Sequence, residues 1–147
     1  RLAKMGMNLL LFGEGNDSQR LSKLTKVEGV GEVASRLARA DIGVLHLPNR
    51  DVWRHASPLK VAEYAAAGLP VVSSEVSGLE QYRNQEWLTL IPLGDDIACK
   101  TALDALCDLP IGERRRLGAL ARAEAERSMT WKRCTESLNE MLLGVKR

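Results

Sequence analysis

Apolar runs and amphipathic stretches alternate along the chain, and the alternation predicts strands and helices in turn. Asn8 to Phe12, in MNLLLFGEG, reads as a strand running into a glycine loop. Ser18 to Lys23 reads as a short helix and Lys26 to Glu28 as a brief strand. GEVASRLARAD places Val33, Leu37 and Ala40 at helical spacing, IGVLHL makes a further strand, and Pro48 to Ala56 a loop. Later come a turn at Ser77 and Gly78, a strand at Leu88 to Ile91, and helices beginning near Asp95, Gly112 and Thr130. This order predicts an α/β fold with a doubly wound parallel sheet.

The segment SPLKVAEYAAAGLPVVSS, Ser57 to Ser74, joins two of these elements. Ser57 is a preferred N-cap, and Pro58 suits the first helical position, where its missing N–H costs nothing. Leu59, Val61, Ala62, Ala65 and Ala66 supply a packing face, Gly68 suits the position past the helix end, and Pro70 stops the helix. The signals predict a helix of about ten residues. PVVSS then reads as a buried strand. Within this run of small apolar residues Glu63 stands out.

Ligands of such sheets sit outside the carboxyl ends of the strands. The loops predicted there are Gly13 to Asp17, Glu28 to Gly31, Leu47 to Ser57 and Ser74 to Gly78. Gly13 and Gly15 invite a dinucleotide reading, but Ser18 stands at the third glycine of that fingerprint, and a tight strand-to-helix turn accounts for both glycines equally well. The helix start at Ser57 carries more. Its first free N–H groups, on Leu59 and Lys60, suit a phosphate, and Lys60 adds a cation. Glu63 lies on the face of Lys60 and can accept hydrogen bonds from the vicinal hydroxyls of a ribose. The competing reading is a solvent-exposed Lys60–Glu63 pair contributing about 0.2–0.5 kcal/mol.

Composition narrows the classes. The 147 residues suffice for one domain, and a 45% hydrophobic content with only 4% aromatics calls for an aliphatic core. A formal charge of +2 gives no basic patch for nucleic acid, ERRRLGALAR reading as a solvated helix face. No apolar run approaches membrane-spanning length. Cys99, Cys107 and Cys134 have no metal-type spacing and read as reduced thiols of a cytoplasmic protein. His46 and His55 are the only histidines, and no nucleophile elbow accompanies them, which argues against a hydrolase triad.

SPLKVAEYAAAGLPVVSSEVSGLEQY, with LLLFGEG, VEGVGEVASRLARADIGVLHLP and the terminal MTWKRCTESLNEML, resembles the donor-binding domain of retaining GT-B glycosyltransferases, the glycosyl transferases group 1. The resemblance covers nearly the whole chain and implies a single nucleotide-sugar-binding domain over residues 1–147, with a Rossmann-like doubly wound sheet. Glu63 resembles the second acid of the family's pair of glutamates and would bind the ribose. Ser57, Pro58, Leu59 and Lys60 stand where the family turns into its diphosphate-binding N–H groups. Gly13 and Gly15 resemble the loop lining the nucleotide, and Glu28, Gly29 and Val30 the segment contacting the base.

The resemblance further implies no cofactor and no metal, the helix dipole and basic side chains neutralising the leaving diphosphate. The implied substrates are a nucleotide-diphosphate sugar and a glycan or lipid-linked acceptor, with peripheral membrane association and polysaccharide assembly as the setting. Two positions depart from the pattern. His55 stands eight positions before Glu63, where many members carry the first glutamate, so it becomes the candidate catalytic residue, with Asp51 as a nearby substitute. RLAKMG resembles the end of a helix, so the sheet is expected to lack the family's first strand, and the N-terminal acceptor domain to be absent. The expectation is a fragment inactive alone, in which Glu63 faces a cleft beside Gly13 and the Glu28 to Val30 loop. The alternative is a non-catalytic Rossmann-like nucleotide-binding or interaction module.

Overall fold

The computed structural model describes residues 10–12, 26–28 and 33–144, apart from the side chains of residues 10–12 and 26–28 and of Cys134 and Ser137. Strands β1 (Leu10–Phe12) and β2 (Lys26–Glu28) precede helix α1 (Val33–Leu37), β3 (Gly43–Leu45) and the short α2 (Asp51–Arg54). Helix α3 (Leu59–Ala66), β4 (Val71–Ser74), a 3₁₀ segment (Ser77–Tyr82) and β5 (Leu88–Ile91) follow, then α4 (Asp96–Asp108), α5 (Ile111–Ser128) and α6 (Trp131–Gly144). The fold is α/β and Rossmann-like, as the alternating pattern predicts. The expected helix over Ser18 to Lys23 lies outside the described residues.

The strand pairings among the described residues are parallel. β1 pairs with β2, Leu10 opposite Lys26, while β4 lies between β3 and β5, with Val71 opposite Gly43 on one side and Leu88 on the other. Among the described residues the strands therefore form a pair and a trio that no ladder joins.

Both faces of the trio are covered. On one, Val71 and Leu88 pack with Val61 and Ala65 of α3 and with Ala121 and Ala125 of α5. On the other, Val72 and Ile91 pack with Cys99, Leu103 and Leu106 of α4 and Leu117 of α5. Burial on both faces is why adjacent positions such as Val71 and Val72 are both apolar, and β4 ends in the buried Ser73 and Ser74. Trp87 is fully buried beside Tyr82, ring centroids 6.1 Å apart. Cys99 is buried and Cys107 exposed on α4, both as free thiols. No helix among the described residues is long and apolar enough to cross a membrane.

Local chemistry sets the helix ends. Asp95 caps α4, its Oδ1 accepting from the N–H groups of Ile97 at 3.0 Å and Ala98 at 2.8 Å. Beyond the other end of α4, Arg114 donates to the carbonyls of Cys107 at 2.8 Å and Leu109 at 2.6 Å. α3 closes in a Schellman turn, Gly68 N–H donating to Ala65 O and Leu69 N–H to Tyr64 O, with Gly68 at φ 74°.

Three local expectations are corrected. α3 begins at Leu59, with Pro58 as its N-cap, and spans eight residues. Pro58 keeps an extended ψ of 111° and its carbonyl accepts from Val61 N–H, so Ser57 lies outside the helix and caps nothing. The loop Pro48 to Ala56 contains α2, and the turn at Ser77 and Gly78 opens a six-residue 3₁₀ segment.

Candidate functional site

The segment after β3 crosses the carboxyl edge of the trio and is held there by backbone and side-chain hydrogen bonds. The Ser74 hydroxyl, at the end of β4, accepts from Leu47 N–H at 2.9 Å. Gly94 N–H, after β5, donates to Leu47 O at 2.9 Å, and Gly78 N–H donates to Ala56 O at 3.2 Å. The segment is thereby tied to the loops that follow β4 and β5. It delivers Ser57, Pro58 and the start of α3 to the edge where α/β sheets bind ligands.

At that helix start no side chain caps the backbone. The N–H groups of Leu59 and Lys60 have no hydrogen-bond partner among the described residues. They carry the partial positive charge of the dipole and are open to an anion. Leu59 is itself exposed, so its side chain does not bury these groups. One turn on, Lys60 Nζ donates to Glu63 Oε2 at 2.7 Å, with both side chains substantially exposed. This is the surface pair of the competing reading. Between α3 and β3, Tyr64 lies over Gly43, and burial raises the phenol pKa above its usual value.

His55 is the exposed C-cap of α2, and Asp51 at the other end of that helix pairs with Arg54 at 3.0 Å. Ser57, Pro58, Leu59, Lys60 and Glu63 are thus contiguous, with His55 just before them. Glu28 closes β2 opposite Phe12. Gly13, Gly15, Gly29 and Val30 lie outside the described residues, and so does the expected cleft between Glu63 and their loops.

A cleft of about 450 Å³ opens at the same edge, between α2, the 3₁₀ segment and the turn after β5. Asn49, Arg54, Glu75, Ser77 and Glu80 supply its polar wall. Arg54 donates to Asn49 Oδ1 at 3.1 Å, and Arg83 behind the wall is bonded to both Glu75 and Glu80. The hydrogen bond from Arg83 holds the Glu80 carboxyl below its usual pKa. Sequence reasoning named the Leu47 to Ser57 and Ser74 to Gly78 loops but not these side chains. The turn after β5, as a third loop at a carboxyl end, was the available signal.

The family model of the glycosyl transferases group 1 matches residues 1–108, from before β1 to the end of α4. No curated protein and no solved structure matches the chain.

Proposed function

We propose that this chain, which belongs to the glycosyl transferases group 1 family, is the donor-binding part of its enzyme, transferring a sugar from a nucleotide-diphosphate sugar to a glycan or lipid-linked acceptor with retention. The observation that carries the reading is the start of α3: two backbone N–H groups, uncapped by any side chain, lie at the carboxyl edge with Lys60 beside them. A diphosphate is the ligand such a terminus suits. As the glycosidic bond breaks, negative charge grows on the leaving diphosphate, and the oriented N–H groups and the lysine stabilise it there. This arrangement needs no metal or further cofactor.

In this reading Glu63 releases Lys60 to the phosphate and accepts hydrogen bonds from the ribose hydroxyls. Ser57 and Pro58 shape the turn, and Gly13, Gly15, Glu28, Gly29 and Val30 line the nucleotide. His55 would offer one hydrogen bond to the donor sugar where a carboxylate offers more acceptors. The setting is the cytoplasmic side of polysaccharide or glycolipid assembly, and the donor half alone is inactive.

The Lys60–Glu63 contact favours a second reading, because a scaffold helix in a non-catalytic module satisfies both side chains in the same way. Thermal unfolding with a nucleoside diphosphate separates the two. A ligand present at 100 times its dissociation constant adds about 2.7 kcal/mol to stability. A melting temperature that nucleoside diphosphates leave unchanged, even at millimolar concentration, removes the donor reading.

A further inference from the structure

We infer that Ser74 and Gly78 are positioning residues for the start of α3: they set the path of the segment that leads into it. The inference rests on the donor reading and deepens it. Both residues act through the chain, because the Ser74 hydroxyl and the Gly78 N–H are engaged by Leu47 and Ala56.

The body of α3 is held by packing, with Val61 and Ala65 in the core and Gly68 against Gly118 of α5. An anion on the free Leu59 and Lys60 N–H groups lies in front of the helix, beside Ser57 and Pro58. The position of those residues decides how open that space is. Leading up to them, residues 48–55 are all exposed, so core packing does not place them. The ties at the two ends of this stretch do.

At the near end stands Gly78. Its N–H, at the start of the 3₁₀ segment, donates to Ala56 O at 3.2 Å. A Cβ on Gly78 would lie 2.6 Å from that oxygen and 2.7 Å from Ser57 Cα. The contact is with backbone, so no side-chain rotation relieves it. Among the described residues the glycines with positive φ are Gly68 and Gly94, so Gly78 has a backbone that alanine also adopts. Glycine is required at this position by the neighbouring segment, not by its own conformation.

At the far end stands Ser74, which is fully buried. Its hydroxyl accepts from Leu47 N–H at 2.9 Å and donates to Leu47 O at 3.5 Å. One hydroxyl thus serves both backbone groups of the residue from which the exposed stretch departs. Removing it leaves Leu47 N–H without its partner, and a methyl on Gly78 pushes Ala56 and Ser57 away. Either change reshapes the space in front of α3 without altering a group that meets the ligand.

The test is calorimetric titration of inorganic pyrophosphate and of uridine, guanosine and adenosine diphosphates into the full chain. Nuclear magnetic resonance of the ¹⁵N-labelled chain locates the binding. In the parent, pyrophosphate and at least one nucleotide are expected to move the Leu59 and Lys60 amide signals. Ser74→Ala and Gly78→Ala should each weaken that binding by about tenfold, the equivalent of one hydrogen bond to a charged ligand. Val72→Ala removes packing between β4 and α4 and lowers stability, but should bind as the parent does. A merely structural role would make affinity follow the unfolding midpoint in all three variants. Ser74→Ala introduces no clash, so it carries the test even where Gly78→Ala does not fold. The inference is overturned if either variant, once folded, binds as tightly as the parent, or if Val72→Ala loses as much affinity as they do. A parent that binds neither pyrophosphate nor any of the nucleotides removes the donor reading and the positioning role together. That failure is read before any substitution is made, which separates it from a failure of the positioning role alone.

Discussion

Gly118 of α5 and Gly68 at the end of α3 meet backbone to backbone: a Cβ on Gly118 would lie 2.0 Å from the Gly68 carbonyl oxygen. The contact seats α5 against α3 and so fixes the helix whose start forms the candidate phosphate site. Gly118→Ala tests it with opposed signs. Helix propensity alone would stabilise the variant by about 1 kcal/mol. The clash is with backbone and cannot be relieved by a side-chain rotation, so a net destabilisation of about 1–3 kcal/mol or more is expected. Urea unfolding decides between them, and a more stable variant would disprove the close approach.

Tyr64 predicts an alkaline limb of stability. Burial raises its pKa above the usual 10.0, an effect that outweighs the lowering by Lys60. Above pH about 10 the unfolded chain then loses the phenolic proton before the folded one, so the folded state binds more protons and stability falls as pH rises. Tyr64→Phe should flatten this limb while leaving stability at neutral pH little changed. Denaturation midpoints across alkaline pH measure it.

Glu124 predicts the opposite limb. It is almost fully buried on α5, and burial pushes its pKa up, but hydrogen bonds from Ser128 and Arg127, each at 2.7 Å at closest, outweigh that and hold it below the usual 4.5. The unfolded chain therefore takes up the proton first as pH falls, and stability present above the usual value is lost as pH drops through the folded pKa. Glu124→Gln should make stability less sensitive to acid than in the parent, and calorimetric melting from neutral to acid pH would show whether it does.

Lys60 and Glu63 are expected to act on different parts of a nucleotide. Lys60→Ala should weaken a nucleoside diphosphate by roughly 1.5–3 kcal/mol, less if the ammonium stays solvated, and leave the free nucleoside unaffected. Glu63→Gln should weaken both ligands alike, since both contain the ribose. Calorimetric titration into the complete enzyme measures the split, and salt should erode the diphosphate preference by screening. Equal losses for both ligands in Lys60→Ala, or none in Glu63→Gln, would return α3 to scaffold.

The elements legible in the sequence are those whose signal is local. β5 over Leu88–Ile91 lies where its mostly apolar run places it, and Gly68 with Pro70 marks the end of α3, because backbone preference and hydrophobic period are properties of a few adjacent residues. The contiguous Ser57 to Glu63 block was legible for the same reason. Tertiary structure alone decided the rest. Pro58 rather than Ser57 became the N-cap of α3, the Pro48 to Ala56 loop coiled into α2, and the strands grouped as a pair and a trio. Asn49, Ser77 and Leu93 come to one cleft from three separate loops. Their meeting depends on Leu47 hydrogen-bonding to Ser74 and Gly94, and on Gly94 yielding space to Asn49, contacts between residues 27 or more positions apart. Composition and period encode which face of an element is buried, but such distances emerge only when the buried faces have packed, and so the cleft was invisible until the chain was folded.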